Sequence, residues 1–298
     1  MLLPSLRQLE YLIALADYQH FGQAAEHCHV TPSTLSAGIR DLEDILGVAL
    51  AERSKRQVVM TAIGMDIAQR ARILIRDASD LMTLATANHA PMTGIMRLGV
   101  IPTVGPYLLP KSMTNLKQRY PDFQMYLDEE FTAPLLNKLR DGKLDAAIIA
   151  LPFDIEDLEV MHLFEDEFQF ACHHSHPLSS KKKIRQNELK DQPLMLLKEG
   201  HCLRGHALSA CSLGDYQTRA QFEASSLSTL VMMVDAGLGV TLLPKLAINS
   251  QVTAGTKICL RPLENPASRE IGLVWRASTS RREEFKMLAE VISESITI

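Results

Sequence analysis

Residues 21–47 read FGQAAEHCHVTPSTLSAGIRDLEDILG. The stretch 21–28 has the pattern of a short helix, and its adjacent Ala24 and Ala25 permit close packing against a neighbour. After Val30 comes Thr31-Pro32, an N-cap residue followed by proline at the first helical position. The helix this starts runs to about Leu46 and stops at Gly47. Leu35, Ile39, Leu42 and Leu46 recur at intervals of 4, 3 and 4, so one face is buried. The opposite face near its start offers Thr31, Ser33, Thr34, Ser36, Ala37 and Arg40. Short hydroxyl side chains and one arginine suit a helix that enters a DNA major groove N-terminus first.

Upstream, Leu6, Leu9, Leu12, Ile13 and Ala16 give the stripe of a preceding amphipathic helix. Downstream, residues 50–61 read as a two-stranded wing with Arg53, Lys55 and Arg56 at its tip, a cationic clamp for a phosphate backbone. Residues 1–60 therefore read as a winged helix-turn-helix domain. They hold five Lys/Arg against seven Asp/Glu, so the expected DNA surface is local rather than a property of net charge. Residues 61–91 read as a linker helix. Ile67, Ala71, Leu74, Ala78, Leu81 and Ala85 form a seam at spacings 4, 3, 4, 3, 4, which predicts a homodimer through a second copy of the same helix.

The remainder, 92–298, alternates strand and helix patterns. Gly94–Ile101, residues 124–128 and residues 143–149 are strands separated by helices, and the alternation predicts a parallel, doubly wound sheet. Ligands of such sheets sit at the carboxyl ends of strands. Thr103, Thr132, Cys202 and Ser226 all fall near expected strand-to-helix junctions.

At 298 residues with 46% hydrophobic and 22% charged residues, the chain suits a soluble protein of two or three domains. No apolar run is long enough for a membrane span, the first residues lack a signal-peptide pattern, and the protein reads as cytoplasmic. Five cysteines, an odd and scattered number, argue against a structural disulfide framework. No CxxC occurs, and neither a metal nor a cofactor is expected. Cys172-His173-His174-Ser175-His176 reads as a strand end entering a His-Pro turn, and Cys259 as a strand residue with no nearby partner.

Cys202 and Cys211 stand nine positions apart. Their residues alone leave two readings open, a reactive thiol with a resolving partner or two buried thiols. On a continuous helix the interval places them about 13.5 Å apart. A disulfide needs Cα atoms within roughly 7 Å, so any bond between them requires the helix to open.

Phe21-Gly22-Gln23-Ala24-Ala25, Val30-Thr31-Pro32-Ser33-Thr34-Leu35-Ser36, Ile39, Leu42-Glu43, Leu46-Gly47 and Arg53 together resemble the N-terminal domain of LysR-type transcriptional regulators. Residues 101–110, Gly200-His201-Cys202-Leu203-Arg204, Cys211 and residues 236–244 narrow the resemblance to the peroxide-sensing members of that family, over essentially the whole chain. Gly205 stands where these members often carry aspartate, Gln221 where some carry histidine, and Pro32 where the family often carries glutamine.

The resemblance implies an α+β multi-domain protein. It would have an N-terminal winged helix-turn-helix, a long linker helix, and a C-terminal two-lobed α/β regulatory domain of periplasmic-binding-protein type. Lobe I would hold about 92–165 and 269–298, and lobe II about 166–268. Cys202 would be the peroxidatic cysteine and Cys211 the resolving one, with Thr103, Thr132, His201 and Arg269 lining the peroxide site. Double-stranded DNA, hydrogen peroxide and RNA polymerase would be its partners, and a homotetramer its assembly. Two other functions remain open: a regulator gated by a small metabolite in the inter-lobe cleft, and a thiol peroxidase.

Overall fold

The computed structural model describes residues 3–53, 58–85, 91–155, 157–210 and 223–296. Contacts divide the chain into one unit of Met1–Ala90 with Arg140–Lys143, and another of Pro91–Leu139 with Leu144–Ile298.

The first unit opens with helix α1 (Leu6–Tyr18). The Ser5 hydroxyl accepts the Gln8 N–H at 3.3 Å while Gln8 Oε1 accepts the Ser5 N–H at 2.9 Å, a reciprocal cap at the helix start. Helices α2 (Phe21–His27) and α3 (Pro32–Leu46) follow. Thr31 Oγ1 accepts the Thr34 N–H at 3.2 Å, and Gly47 closes α3 at φ +70°, in the left-handed region that favours glycine. Leu35, Ile39 and Leu42 are fully buried with Leu12 and Leu15 of α1. Each such side chain contributes about 1.5–3 kcal/mol. Strands β1 (Ala51–Arg53) and β2 (Val58–Met60) pair antiparallel as the expected wing, whose tip residues Lys55 and Arg56 lie outside the described residues.

Helix α4 (Ala62–Ala85) is 24 residues long. The sequence offers its seam whole to a second copy, but the structure divides it. Ala68 and Ala71 are buried in the core of their own unit, and Ile67 and Ile75 pack on that core, because α1 lies along the first half of α4. Leu74 and Leu81 remain exposed.

The second unit has two hydrophobic cores. The first gathers β3 (Gly94–Val100), α5 (Gly105–Arg119), β4 (Phe123–Glu129), α6 (Thr132–Arg140) and β5 (Ala146–Leu151). Strand β3 pairs parallel with both β4 and β5. Residues 146–150 of β5, which pairs parallel with β3 and antiparallel with the later strand Ser268–Arg276, are all fully buried, as expected of a central strand covered on both faces.

Strand β6 (Leu158–His173) then runs sixteen residues and leaves this core for the second. That core holds a 3-10 turn (Pro177–Ser180), α7 (Gln186–Leu189), β7 (Leu196–Leu197), α8 (Cys202–Ala210), β8 (Glu223–Ala224), α9 (Leu227–Asp235), β9 (Val240–Pro244), α10 (Lys245–Asn249) and β10 (Ile258–Pro262). Strand β11 (Ser268–Arg276) returns antiparallel to β6, and α11 (Arg282–Ile296) closes the first core.

The sheet order is β10-β6-β11-β5-β3-β4, with β9 also on β6. It is mixed rather than wholly parallel. The reason is β6 itself, which pairs with β11 over its first two thirds and with β9 and β10 over its last third. One strand thus belongs to both lobes. Among the described residues no helix is long and apolar enough to cross a membrane.

Candidate functional site

Thr103 and Thr132 follow neighbouring strands. Thr103 lies three residues beyond β3, and Thr132 opens α6 just after β4. The Glu130 N–H donates to the Val100 carbonyl at 3.2 Å and extends the β3–β4 pairing to this edge. Both threonines are buried.

Arg269, on β11, is the largest fully buried side chain of the protein's described residues. Its Nη1 donates to Thr103 Oγ1 at 2.8 Å and its Nη2 to the Thr103 carbonyl at 3.0 Å. Nε and Nη2 also donate to Asp166 Oδ2 at 3.1 and 2.9 Å, and Asp166 Oδ1 accepts the Leu246 N–H at 2.9 Å. Asp166 sits opposite Arg269 in the β6–β11 ladder, so the sheet itself sets the pair. A buried guanidinium is tolerable because a carboxylate and two oxygens of Thr103 satisfy it. Arginine has no acceptor, so Thr103 Oγ1 receives a hydrogen here and its own hydroxyl hydrogen remains to be donated. Thr132 Oγ1 is buried with no hydrogen-bond partner.

Gly200, at φ +98°, turns the chain into α8. A side chain there would also meet the Phe131 ring at 3.4 Å. The Phe131 and His201 rings meet edge to face at 4.6 Å. The starts of α6 and α8 therefore lie together. His201 Nε2 donates to the Ser225 carbonyl at 3.1 Å, which fixes the tautomer and leaves Nδ1 as an acceptor. Burial pushes the His201 imidazole below its usual range; the Ser225 bond opposes this and Lys198 adds to it.

Cys202 is the first residue of α8 and is partly buried. Its side chain packs on the first core while Leu203 and Ala207 sit in the second, so α8 lies along the boundary of the two lobes. Arg204, two residues further along α8, donates to the Leu197 carbonyl at 3.2 Å and to Glu223 Oε1 at 2.6 Å. Ser226 is taken up as the N-cap of α9, accepting the Thr229 N–H at 3.2 Å.

Two residues of the site escape the sequence reading. Asp166 is 103 positions from Arg269, and nothing local marks it. His206 lies four residues after Cys202, on the same face of α8. Its ring has a bond to the Pro152 backbone just after β5, while its buried Nδ1 has no partner. Burial pushes its imidazole down, and the nearby Arg269 charge adds to the effect. The i, i+4 spacing was the available signal.

Cys211 lies outside the described residues, but α8 ends at Ala210. Eight helical steps separate Cys202 from Ala210, about 12 Å at 1.5 Å per residue.

In the first unit, Thr31, Ser33, Thr34 and Arg40 are exposed on one side of α3, and Ser36 is half-buried beside them. Thr31 Oγ1 lies 2.8 Å from both Ser33 Oγ and Thr34 Oγ1. Arg53 belongs to β1. Among the described residues no group of three or more His, Cys, Asp and Glu is placed to hold a metal ion. In the His-rich turn, β6 ends at His173, and His176 Nδ1 accepts the Leu178 N–H at 3.2 Å as the cap of the 3-10 turn.

The sequence profile described as "Bacterial regulatory helix-turn-helix protein, lysR family" matches residues 6–65, and "LysR substrate binding domain" matches residues 89–296. The "HTH-type transcriptional regulator EstR" of Acinetobacter baylyi is 40% identical over 291 residues, 97% of this chain and 96% of its own. The "DNA-binding transcriptional dual regulator OxyR" of Escherichia coli is 40% identical over 288 residues, 97% of this chain and 94% of its own. A full-length OxyR of Pseudomonas aeruginosa with a cysteine-to-aspartate change superposes at TM-score 0.83, with 39% identity and 98% of each chain covered. A peroxide-bound cysteine-to-serine mutant of Corynebacterium glutamicum OxyR gives 0.68 and 33%, covering 99% of this chain and 94% of that one. Two regulators of different name thus share the same identity with this chain, and the site must separate them.

Proposed function

The chain belongs to the LysR family of DNA-binding transcriptional regulators, and within it we propose a sensor of hydrogen peroxide that reports through Cys202 and Cys211. What supports the reading is that Cys202 opens α8 directly after the buried His201, that Thr103, Thr132 and Arg269 are also buried, and that nine positions on a continuous helix span about 13.5 Å. The Thr103 and Thr132 hydroxyls supply donors for a small oxygen ligand. Arg269 orients Thr103 rather than meeting the ligand alone.

In the first step the Cys202 thiolate attacks one peroxide oxygen. An S–O bond forms, the O–O bond breaks, and the leaving hydroxide takes a proton to become water. The Cys211 thiol then displaces the sulfenic oxygen as a second water, and the disulfide closes. Closure requires α8 to open, which makes the segment a two-state element.

On the DNA side, Thr31, Ser33, Thr34, Ser36 and Arg40 meet the major groove, and Arg53, Lys55 and Arg56 clamp the backbone. Exposed Leu74 and Leu81 of α4 form the part of the seam open to a second copy. A homodimer through α4, assembled to a homotetramer, places recognition helices on adjacent half-sites. Contact with RNA polymerase carries the response to transcription.

The metabolite-gated reading rests on a cavity of about 630 Å³ lined by Tyr107, Lys111, Asp166, Lys245, Asn249 and Ser250, among others. It does not involve Cys202. The thiol peroxidase has support from neither family description.

A DNA footprint recorded across a peroxide titration, for wild type and Cys202→Ser, separates these. The footprint should change in the wild type with formation of the Cys202–Cys211 disulfide and stay fixed in the variant. A fixed footprint in fully oxidised wild type would refute the sensor. Alanine at Arg53, Lys55 and Arg56 together should weaken binding and lower the salt slope by about 0.9 per lost phosphate contact.

A further inference from the structure

Cys172 and Cys259 are 87 positions apart in sequence, and each by itself is an unremarked strand residue. The sequence reading gives Cys259 no partner. The structure corrects it: Cys259 of β10 lies directly opposite Cys172 of β6 in an antiparallel ladder. Side chains opposed in such a ladder project on the same face, from Cα atoms about 4.5–5.5 Å apart. A disulfide joins Cα atoms about 4.4–6.8 Å apart, so the ladder already supplies the separation that a bond between these two sulfurs needs.

Both residues are free thiols at the second core. Cys172 is fully buried between Val240 on β9 and Cys259 on β10. Cys259 is only partly buried, and β10 is the last strand of the sheet, so Cys259 is the member that a reagent reaches. Burial pushes the Cys172 thiol up to about 11; the proximity of Cys259 adds to this and Arg261 opposes it. Reaction therefore starts on Cys259, the more accessible of the two thiols.

We propose that Cys172 and Cys259 form a second thiol–disulfide couple in lobe II, one that exchanges with low-molecular-weight disulfides independently of Cys202. The Cys259 thiolate attacks one sulfur of the small disulfide and expels one thiolate, leaving a mixed disulfide on Cys259. The Cys172 sulfur, losing its proton, then attacks the Cys259 sulfur and expels the second small thiol. Two protein thiols are oxidised by two electrons, and one small disulfide is reduced to two thiols that take up both protons. The neighbour's position gives the second step the advantage of an intramolecular reaction. The new bond would pin the edge strand β10 to β6, the strand shared by both lobes, with no opening of a helix.

The test uses the full-length Cys202→Ser/Cys211→Ser chain, folded and exposed to oxidised glutathione, then quenched in acid, unfolded, alkylated and mapped without reduction. The expected result is a cross-linked Cys172–Cys259 peptide, with alkylation of both residues lowered at least about tenfold. Cys172→Ala should halt the reaction at a glutathione adduct on Cys259. Should the double serine chain fail to fold, the same cross-linked peptide is sought in wild type, where it has a mass distinct from that of Cys202–Cys211. The inference is overturned if both thiols stay fully alkylatable, or if wild type accumulates the Cys259 adduct with Cys172 still free. Neither result bears on the peroxide response, which is read from the other pair.

Discussion

Helix α3 runs fifteen residues between a threonine cap and a left-handed glycine, and three of its side chains are fully buried. Helix α8 runs nine residues with Gly205 near its middle, one end on Cys202 and the other one residue short of Cys211 in sequence. A side chain at Gly205 would meet nothing within 4 Å, so the glycine relieves no crowding. Its effect is to weaken the helix by about 1 kcal/mol relative to alanine. Under the proposed function the contrast has a purpose: a helix that reads DNA must hold its surface in one place, whereas one that reports oxidation must be able to give way.

The largest effects come from the beds on which the two helices lie. Arg269→Ala would leave the Asp166 carboxylate buried without its cation, a loss of about 3–5 kcal/mol. Chemical denaturation of the full chain should show the regulatory unit weakened by that amount and the peroxide response lost. Leu42→Ala, beneath α3, should cost about 2–5 kcal/mol through the cavity it leaves. Here DNA binding should fall while peroxide still closes the Cys202–Cys211 bond. A variant that lost both functions would undo the separation of the two helices.

Smaller changes act on the helices themselves, with opposite sign. Thr31→Ala removes the α3 cap and should cost about 1 kcal/mol, seen as a lower melting midpoint and weaker DNA binding. Gly205→Ala should stabilise α8 by about 1 kcal/mol and slow disulfide closure about fivefold in a quenched-flow assay. Faster closure would mean that opening α8 is not part of the reaction.

The smallest effect is in pH. His201 and His206 both have imidazoles pushed below their usual range, chiefly by burial. The unfolded chain then takes up protons more readily than the folded one. Stability from these groups is complete above the unfolded value near about 6.5 and is lost as pH falls through the lower folded values. Each contributes a slope of at most about 1.4 kcal/mol per pH unit, and His206→Gln should remove one such contribution from urea midpoints measured down to pH 5.5.

Much of this architecture was legible because its causes are local. Thr31-Pro32 and Gly47 bound α3, and Leu35, Ile39 and Leu42 name its buried face without reference to the rest of the chain. The start of α6 at Thr132 and the opening of α8 at Cys202 follow from turn and cap patterns in the same way. What escaped was set by pairing across distance. Asp166 meets Arg269, and Cys172 meets Cys259, only because β6 runs unbroken through both lobes, and no short window of sequence reports a strand register. The α4 seam has the same limit: its repeat is regular to Ala85, but that α1 helps cover Ala71 depends on how the first unit folds. His206 was legible in principle, one helical turn from Cys202, and was hidden by the prominence of His201.

Amide hydrogen exchange across α8, in reduced and fully oxidised full-length protein, bears most directly on the claim that this helix must open for the sensor to fire. Residues 203–209 should exchange slowly in the reduced chain and lose that protection once the Cys202–Cys211 bond has formed, while α3 keeps its own. Equal protection of α8 in both states, with the disulfide verified by mass spectrometry, would contradict the account.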